Sequence, residues 1–136
     1  MQNNRNFQEV LLARINQIPG IDIRARIDYF NDENDDLVLN AVSGGTVDKE
    51  YMDGTREVSL PFEIAVKSKN HKRANDIIWQ VNADLSELDI DLSSTDGTYT
   101  FLSLRVEKPG INGRDEQGYF IYSMQVIAKL EITGGK

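Results

Sequence analysis

One stretch of this chain limits the possible folds more than any other: a strand's alternation that passes directly into a helix's spacing. Val58, Leu60, Phe62, Ile64 and Val66 alternate with Ser59, Pro61, Glu63, Ala65 and Lys67. Side chains on a strand point to opposite faces with period two, so the run predicts a half-buried strand. The apolar spacing then becomes Ala74, Ile77, Ile78, Val81, Leu85 and Leu88, which is helical. Ser68 or Asn70 is placed to cap that helix, which is expected to run to about Leu88. Pro61 lacks the N–H a ladder needs, so the strand is expected to lie at an edge there or to carry a bulge.

The flanking segments extend the pattern. Phe7, Val10, Leu11, Ile15 and Ile18 form one stripe, predicting a first helix over 6–18. Asn6 is its expected cap, with Glu9 completing something like a capping box, and Pro19-Gly20 stops it. Ile21, Ile23, Ala25, Ile27 and Tyr29 alternate with polar residues and predict a strand with one wet face. A polar turn is expected over 31–36, and a further strand over 37–42, closed by Ser43-Gly44-Gly45. Residues 46–56, with Met52-Asp53-Gly54-Thr55, are expected to form a turn or mobile loop. Thr95-Asp96-Gly97-Thr98 is a turn signal before a strand over 99–107, in which Leu102, Leu104 and Val106 share one face and Phe101 takes the other. Residues 108–118 hold one proline and three glycines and are expected to be a long exposed loop. In the last strand, over 119–132, Phe120, Tyr122, Met124, Val126, Ala128, Leu130 and Ile132 share a face. Residues 133–136 are expected to be a frayed tail. The fold class that follows is α+β: a largely antiparallel twisted sheet with two helices packed on one face, in one domain spanning 1–136.

Composition narrows the function classes. No apolar run approaches the roughly 18 residues of a membrane span. The polar start Met1-Gln2-Asn3-Asn4-Arg5-Asn6 does not predict a secretory signal. With no cysteine there is neither a disulfide nor a thiolate metal site. The net charge of −7 disfavours binding to free nucleic acid, whose phosphates need Lys and Arg. The charge is uneven: Asp32, Glu33, Asp35 and Asp36 cluster, as do Asp84, Glu87, Asp89, Asp91 and Asp96, against a basic segment of Lys67, Lys69, Lys72 and Arg73. Solvated turns and helix ends account for such clusters. Head-to-tail contact between copies would also use them.

No catalytic set can be assembled. His71, the only histidine, has no nameable nucleophile or orienting partner and reads as an exposed polar residue. Asp32, Asp35 and Asp36, or Asp89, Asp91 and Asp96, offer oxygen ligands for calcium, but the spacing of a calcium loop is absent and wet acidic loops explain them. Gly44 and Gly45, and Gly110, Gly113 and Gly118, are not placed between a strand and a helix N-terminus as a phosphate cradle requires. Trp79 is expected in the core beside Ile78, or else as an exposed contact residue. Tyr119 and Tyr122 flank the 108–118 segment and suit either partner contact or cross-strand packing. No metal and no cofactor is called for.

Three strings carry a family resemblance. They are Asp53-Gly54-Thr55-Arg56-Glu57-Val58-Ser59-Leu60-Pro61-Phe62-Glu63-Ile64-Ala65-Val66-Lys67-Ser68-Lys69-Asn70, then Gly118-Tyr119-Phe120-Ile121-Tyr122-Ser123-Met124-Gln125-Val126, and the opening Leu11-Leu12-Ala13-Arg14-Ile15-Asn16-Gln17-Ile18-Pro19-Gly20. With the Pro109 segment they resemble the minor capsid, or tail terminator, proteins of tailed bacteriophages and prophages. The resemblance implies a structural protein and not an enzyme. It implies a ring of copies, commonly six, that caps the tail tube, stops its growth and presents the tail to the head connector or stopper. Its expected partners are itself, the tail-tube protein and the connector, at the tail–head junction of a virion made in the host cytoplasm. DNA would pass through the channel without specific binding, and no membrane is involved. Loops and strand ends make the contacts in that family. The corresponding regions here are 43–56, 108–118 and the tail, and they single out Gly44, Gly45, Met52, Asp53 and Gly54, and Lys108, Pro109, Ile111, Arg114 and Tyr119, as candidate interface residues. The competing readings are another head–tail connector or head-completion protein, and a small-molecule-binding or catalytic α+β domain with a deep pocket.

Overall fold

A computed structural model describes residues 5–31 and 35–133. The elements run α1 (Arg5–Asn16), β1 (Asp36–Ala41), β2 (Thr46–Glu50), β3 (Arg56–Ser68), α2 (His71–Leu85), β4 (Thr100–Val106), β5 (Gly110–Arg114) and β6 (Phe120–Ile132). Every strand pairing is antiparallel. This is the α+β architecture expected, with both helices on one face of the sheet.

Its centre is the pairing of β3 with β6, continuous from Arg56↔Ile132 to Ser68↔Phe120. The alternations of the two strands coincide, so Val58, Leu60, Phe62, Ile64 and Val66 meet Leu130, Ala128, Val126, Met124 and Tyr122 on the helix-covered face. β1 adds Leu37 and Leu39, α1 adds Phe7, Leu11 and Ile15, and α2 adds Ala74, Ile77, Ile78, Val81 and Leu85. Roughly 1.5–3 kcal/mol per large buried side chain makes this cluster the dominant source of stability. Ion pairs tie α1 to α2 and to the segment after it: Arg14 Nε lies 2.8 Å from Asp84 and its Nη2 3.0 Å from Glu87.

β3 and β6 each have two shorter strands on their other side. β1 pairs with the second half of β3 and β2 with its beginning, while β5 and β4 lie end to end along β6. Pro61 sits at the seam between β1 and β2. Its carbonyl accepts from Val42 N–H at 3.1 Å, just past the end of β1. Because N–H and C=O of a strand residue point the same way, the missing donor faces that seam and costs no bond in the ladder with β6. The strand is therefore interior, with a local edge at the proline.

Several expectations need correction. Residues 21–29 are not a strand. They form a connector with one parallel bridge, Arg26↔Val38, because Asn16 holds both the N–H (2.7 Å) and the carbonyl (3.3 Å) of Ala25 and keeps the segment beside α1. Asn6 is not a cap. It lies inside α1, buried, accepting from Thr95 N–H (3.0 Å) and Ser94 Oγ (2.7 Å) and donating to Thr95 Oγ1 (2.7 Å). Of the two caps weighed for α2, Asn70 is the one used, accepting from Arg73 N–H at 3.2 Å. α2 ends at Leu85, so Leu88 is fully exposed beyond it. In β4 an extra residue between Phe101 and Ser103 reverses the alternation. Phe101 joins Leu104 and Val106 against the core, and Leu102 turns out. Trp79 is 43% exposed, one residue off the buried stripe of α2.

Of the charge clusters, Glu87, Asp89, Asp91 and Asp96 are exposed as expected, while parts of the first acidic cluster and of the basic segment are buried. Asp36 is buried and bonded to Arg26, and Arg73 Nε lies 3.2 Å from Asp35. Lys67 is buried, donating to the Asn31 carbonyl, so it leaves the basic segment. The calls on Met1 to Asn4, on Asp32 and Glu33, and on 134–136 fall outside the described residues.

Candidate assembly interface

Two of the segments expected to be loops are strands, and they occupy opposite borders of the sheet. β2 lies on one border. All its residues are exposed, so no apolar alternation marks it, and its strand character comes from backbone pairing with β3. Its irregularity at Asp48 turns that carboxylate onto Ser59 Oγ, with Thr46 Oγ1 donating to it at 2.8 Å. These hydroxyl donors, Ser59 first and then Thr46, hold the Asp48 carboxyl below its ordinary range, helped by the Lys129 charge. The hairpin to β3 is closed by Tyr51 N–H to Thr55 O (2.8 Å) and Gly54 N–H to Tyr51 O (2.9 Å). Gly54 has φ +89°, a conformation that favours glycine. Asp53 accepts from Thr55 N–H at 2.9 Å, and that bond lowers its pKa. Tyr51 donates to Glu57 at 2.5 Å, which raises the phenol. Met52 at the tip is fully exposed. Gly44 and Gly45 lead from β1 into β2, the first exposed and the second half-buried.

The other border is formed by β4 and β5. Lys108 and Pro109 join them, and Ile111 is half exposed. Glycine and proline conceal β5 from periodicity, yet its backbone pairs with β6 from Gly110↔Ser123 to Arg114↔Phe120. Arg114 stacks on Phe120 at 5.7 Å. Tyr119 differs from the other candidates. It is 4% exposed, with Lys67 Nζ 4.3 Å and Lys69 Nζ 5.3 Å from its ring, so it supports the hairpin from inside instead of presenting a surface.

The structure thus divides the candidate residues. Gly44, Gly45, Met52, Asp53 and Gly54 lie at one border, and Lys108, Pro109, Ile111 and Arg114 at the other. They do not converge. Beside β4 runs a groove of about 370 Å³ between the strand and the segment after α2, lined by Leu85, Leu88, Ile90, Phe101 and Leu104 among others. Sequence reasoning missed this groove because the bulge that turns Phe101 inward leaves no periodic signature. Two further hollows are open to solvent, one between Gly20 and α2 and one beside 21–24. His71 is exposed and shares a 2.6 Å hydrogen bond with the Tyr122 hydroxyl. Among the described residues no three of His, Asp and Glu gather as a metal site. No described helix is long and apolar enough to cross a membrane.

A scaffold of this kind, a largely antiparallel sheet with two helices on one face, belongs to the α+β class. The family model described as bacteriophage tail terminator protein matches residues 10–132, so the chain belongs to the bacteriophage tail terminator family and is a phage tail structural protein. No curated protein matches it. Among solved structures, a chain from the virion of a native gene transfer agent (GTA) particle has the same fold. It is 13% identical with a TM-score of 0.57, over 90% of this chain and 84% of that one.

Proposed function

We propose that this protein is a non-enzymatic tail terminator whose copies close into a ring, six in number. The ring caps the last tier of tail-tube subunits, halts their addition and offers its other side to the head connector or stopper at the tail–head junction. Family membership over residues 10–132 is the observation that carries this reading. The geometry supports it: a ring needs two different surfaces on each copy, and the candidate residues lie on two opposite borders of one sheet. Gly44 to Gly54 serve one contact, and Lys108 to Arg114 the other. The net charge of −7 suits a channel through which DNA slides without sticking.

The test is light scattering and electron microscopy of the purified protein, alone and with tail-tube protein, together with a tube-growth assay. Rings, and tubes that stop lengthening when the protein is added, are the expected result. A strict monomer at every concentration in both mixtures refutes the reading, and a channel lined by basic residues refutes its account of DNA passage.

A further inference from the structure

We propose that β2 of one copy adds to the outer side of β4 in the next copy, in antiparallel pairing, so that one sheet runs from subunit to subunit. The inference rests on the ring reading above and names the contact that would build it.

Four observations lead to it. First, both strands lack a partner on one side among the described residues. β2 pairs only with β3, and β4 only with β6. Unpaired N–H and C=O groups on such a border are a ready template for another strand. Second, the two borders lie at the same height. Val47 is opposite Val58, Val58 opposite Leu130, and Leu130 opposite Phe101, which makes one row across β2, β3, β6 and β4.

Third, the directions agree. Three successive antiparallel pairings leave β2 and β4 running opposite ways. Rotation about an axis along the strands preserves direction, so neighbouring copies in a ring bring β4 and β2 together antiparallel, and the face carrying the helices stays the same. Val47, opposite buried Val58 and itself 43% exposed, then projects into the groove of Leu85, Leu88, Ile90, Phe101 and Leu104.

Fourth, the charges are opposite. Residues 46–55 carry Asp48, Glu50 and Asp53 against Lys49, a net charge of −2. Residues 100–114 carry Arg105, Lys108 and Arg114 against Glu107, a net charge of +2. That complementarity selects a second copy as the occupant and disfavours pairing of either border with itself.

The absence of cysteine permits a direct test. Thr46, Lys49, Ser103 and Arg105 face away from the helices, since their partners are Ser59, Glu57, Lys129 and Ile127 on the outer face. Two preparations are mixed and oxidised, one carrying Thr46→Cys or Lys49→Cys and the other Ser103→Cys or Arg105→Cys. The four combinations cover neighbouring registers, and circular dichroism confirms each variant's fold. Cross-strand neighbours fall within the Cα separation that a disulfide needs. Expected are covalent dimers in a mixture and none from either variant alone, and a ladder of higher species from a chain carrying both cysteines. Rings without a crosslink in any folded combination overturn the β2–β4 pairing and leave the ring standing. Crosslinks within one variant alone overturn it too, by showing a self-complementary contact. No assembly with or without tail-tube protein overturns both readings.

Discussion

Replacing Phe7 with alanine tests whether α1 is part of the core. The phenyl group is fully buried, with its centroid 5.3 Å from Phe62, 5.6 Å from Tyr99 and 6.3 Å from Phe101. The Tyr99 contact is edge-on at 77°, the arrangement aromatic quadrupoles favour. Loss of transfer energy together with a residual cavity costs about 3–5 kcal/mol for a buried Phe→Ala change. The hole would be walled by three other rings and two elements of the sheet, which cannot all collapse into it, so about 4 kcal/mol is expected. At a urea dependence of about 1.5 kcal/mol per molar, the unfolding midpoint falls by about 2.7 M. Phe7→Leu refills most of the space and costs about 1 kcal/mol. Urea unfolding followed by circular dichroism reads both values. A loss below about 1 kcal/mol for Phe7→Ala, the size of a surface change, would show that α1 does not sit on the sheet and would refute the two-helix face.

The remaining predictions concern polar ties. The Tyr99 hydroxyl donates to the Leu92 carbonyl at 2.5 Å, and its phenol is pushed up to about 12, first by burial and then by the Asp96 and Asp91 charges. Tyr99→Phe leaves that carbonyl without its donor, for a loss of about 1–3 kcal/mol in urea unfolding at neutral pH. Because the folded-state value is raised above 10.0, Tyr99's contribution is complete below pH 10 and declines as pH rises towards about 12, and a stability–pH series on the Tyr99→Phe variant should lack that decline. Asp48 has the opposite sign. Its native pKa lies below 3.8, so its contribution is present above that pH and is lost as pH falls further, and Asp48→Asn should flatten the acid limb of the stability curve. Asn6→Ala removes three hydrogen bonds to 94–95 and should lower stability by about 1–3 kcal/mol, with amide exchange rising first over 94–98.

What was legible in the chain was whatever buries an apolar face. The alternations of β3 and β6 and the stripes of α1 and α2 could be read because one side of each meets the core, and burial imposes a period. β2 and β5 were not legible. Thr46–Glu50 and Gly110–Arg114 are held by backbone bonds to strands already in place, which leave no mark on side-chain type. The inverse error occurred at 21–29, where a genuine alternation forms no strand because the Asn16 side chain claims the backbone of Ala25. The β4 bulge shows the limit of period counting: one extra residue exchanges the roles of Phe101 and Leu102. The candidate interface fared similarly. Its two regions could be named from resemblance, but their placement on opposite borders depends on pairings the chain does not display, and Tyr119 turns inward because Lys67 and Lys69 sit on its ring.

The unbroken register between β3 and β6, from Arg56↔Ile132 to Ser68↔Phe120, has a mechanical corollary. Force applied along these strands in opposite senses strains every rung together, whereas peeling β2 or β5 away breaks rungs singly. In the ring proposed above, the joints between copies would then yield first under load, each wedge staying whole while the seam gives.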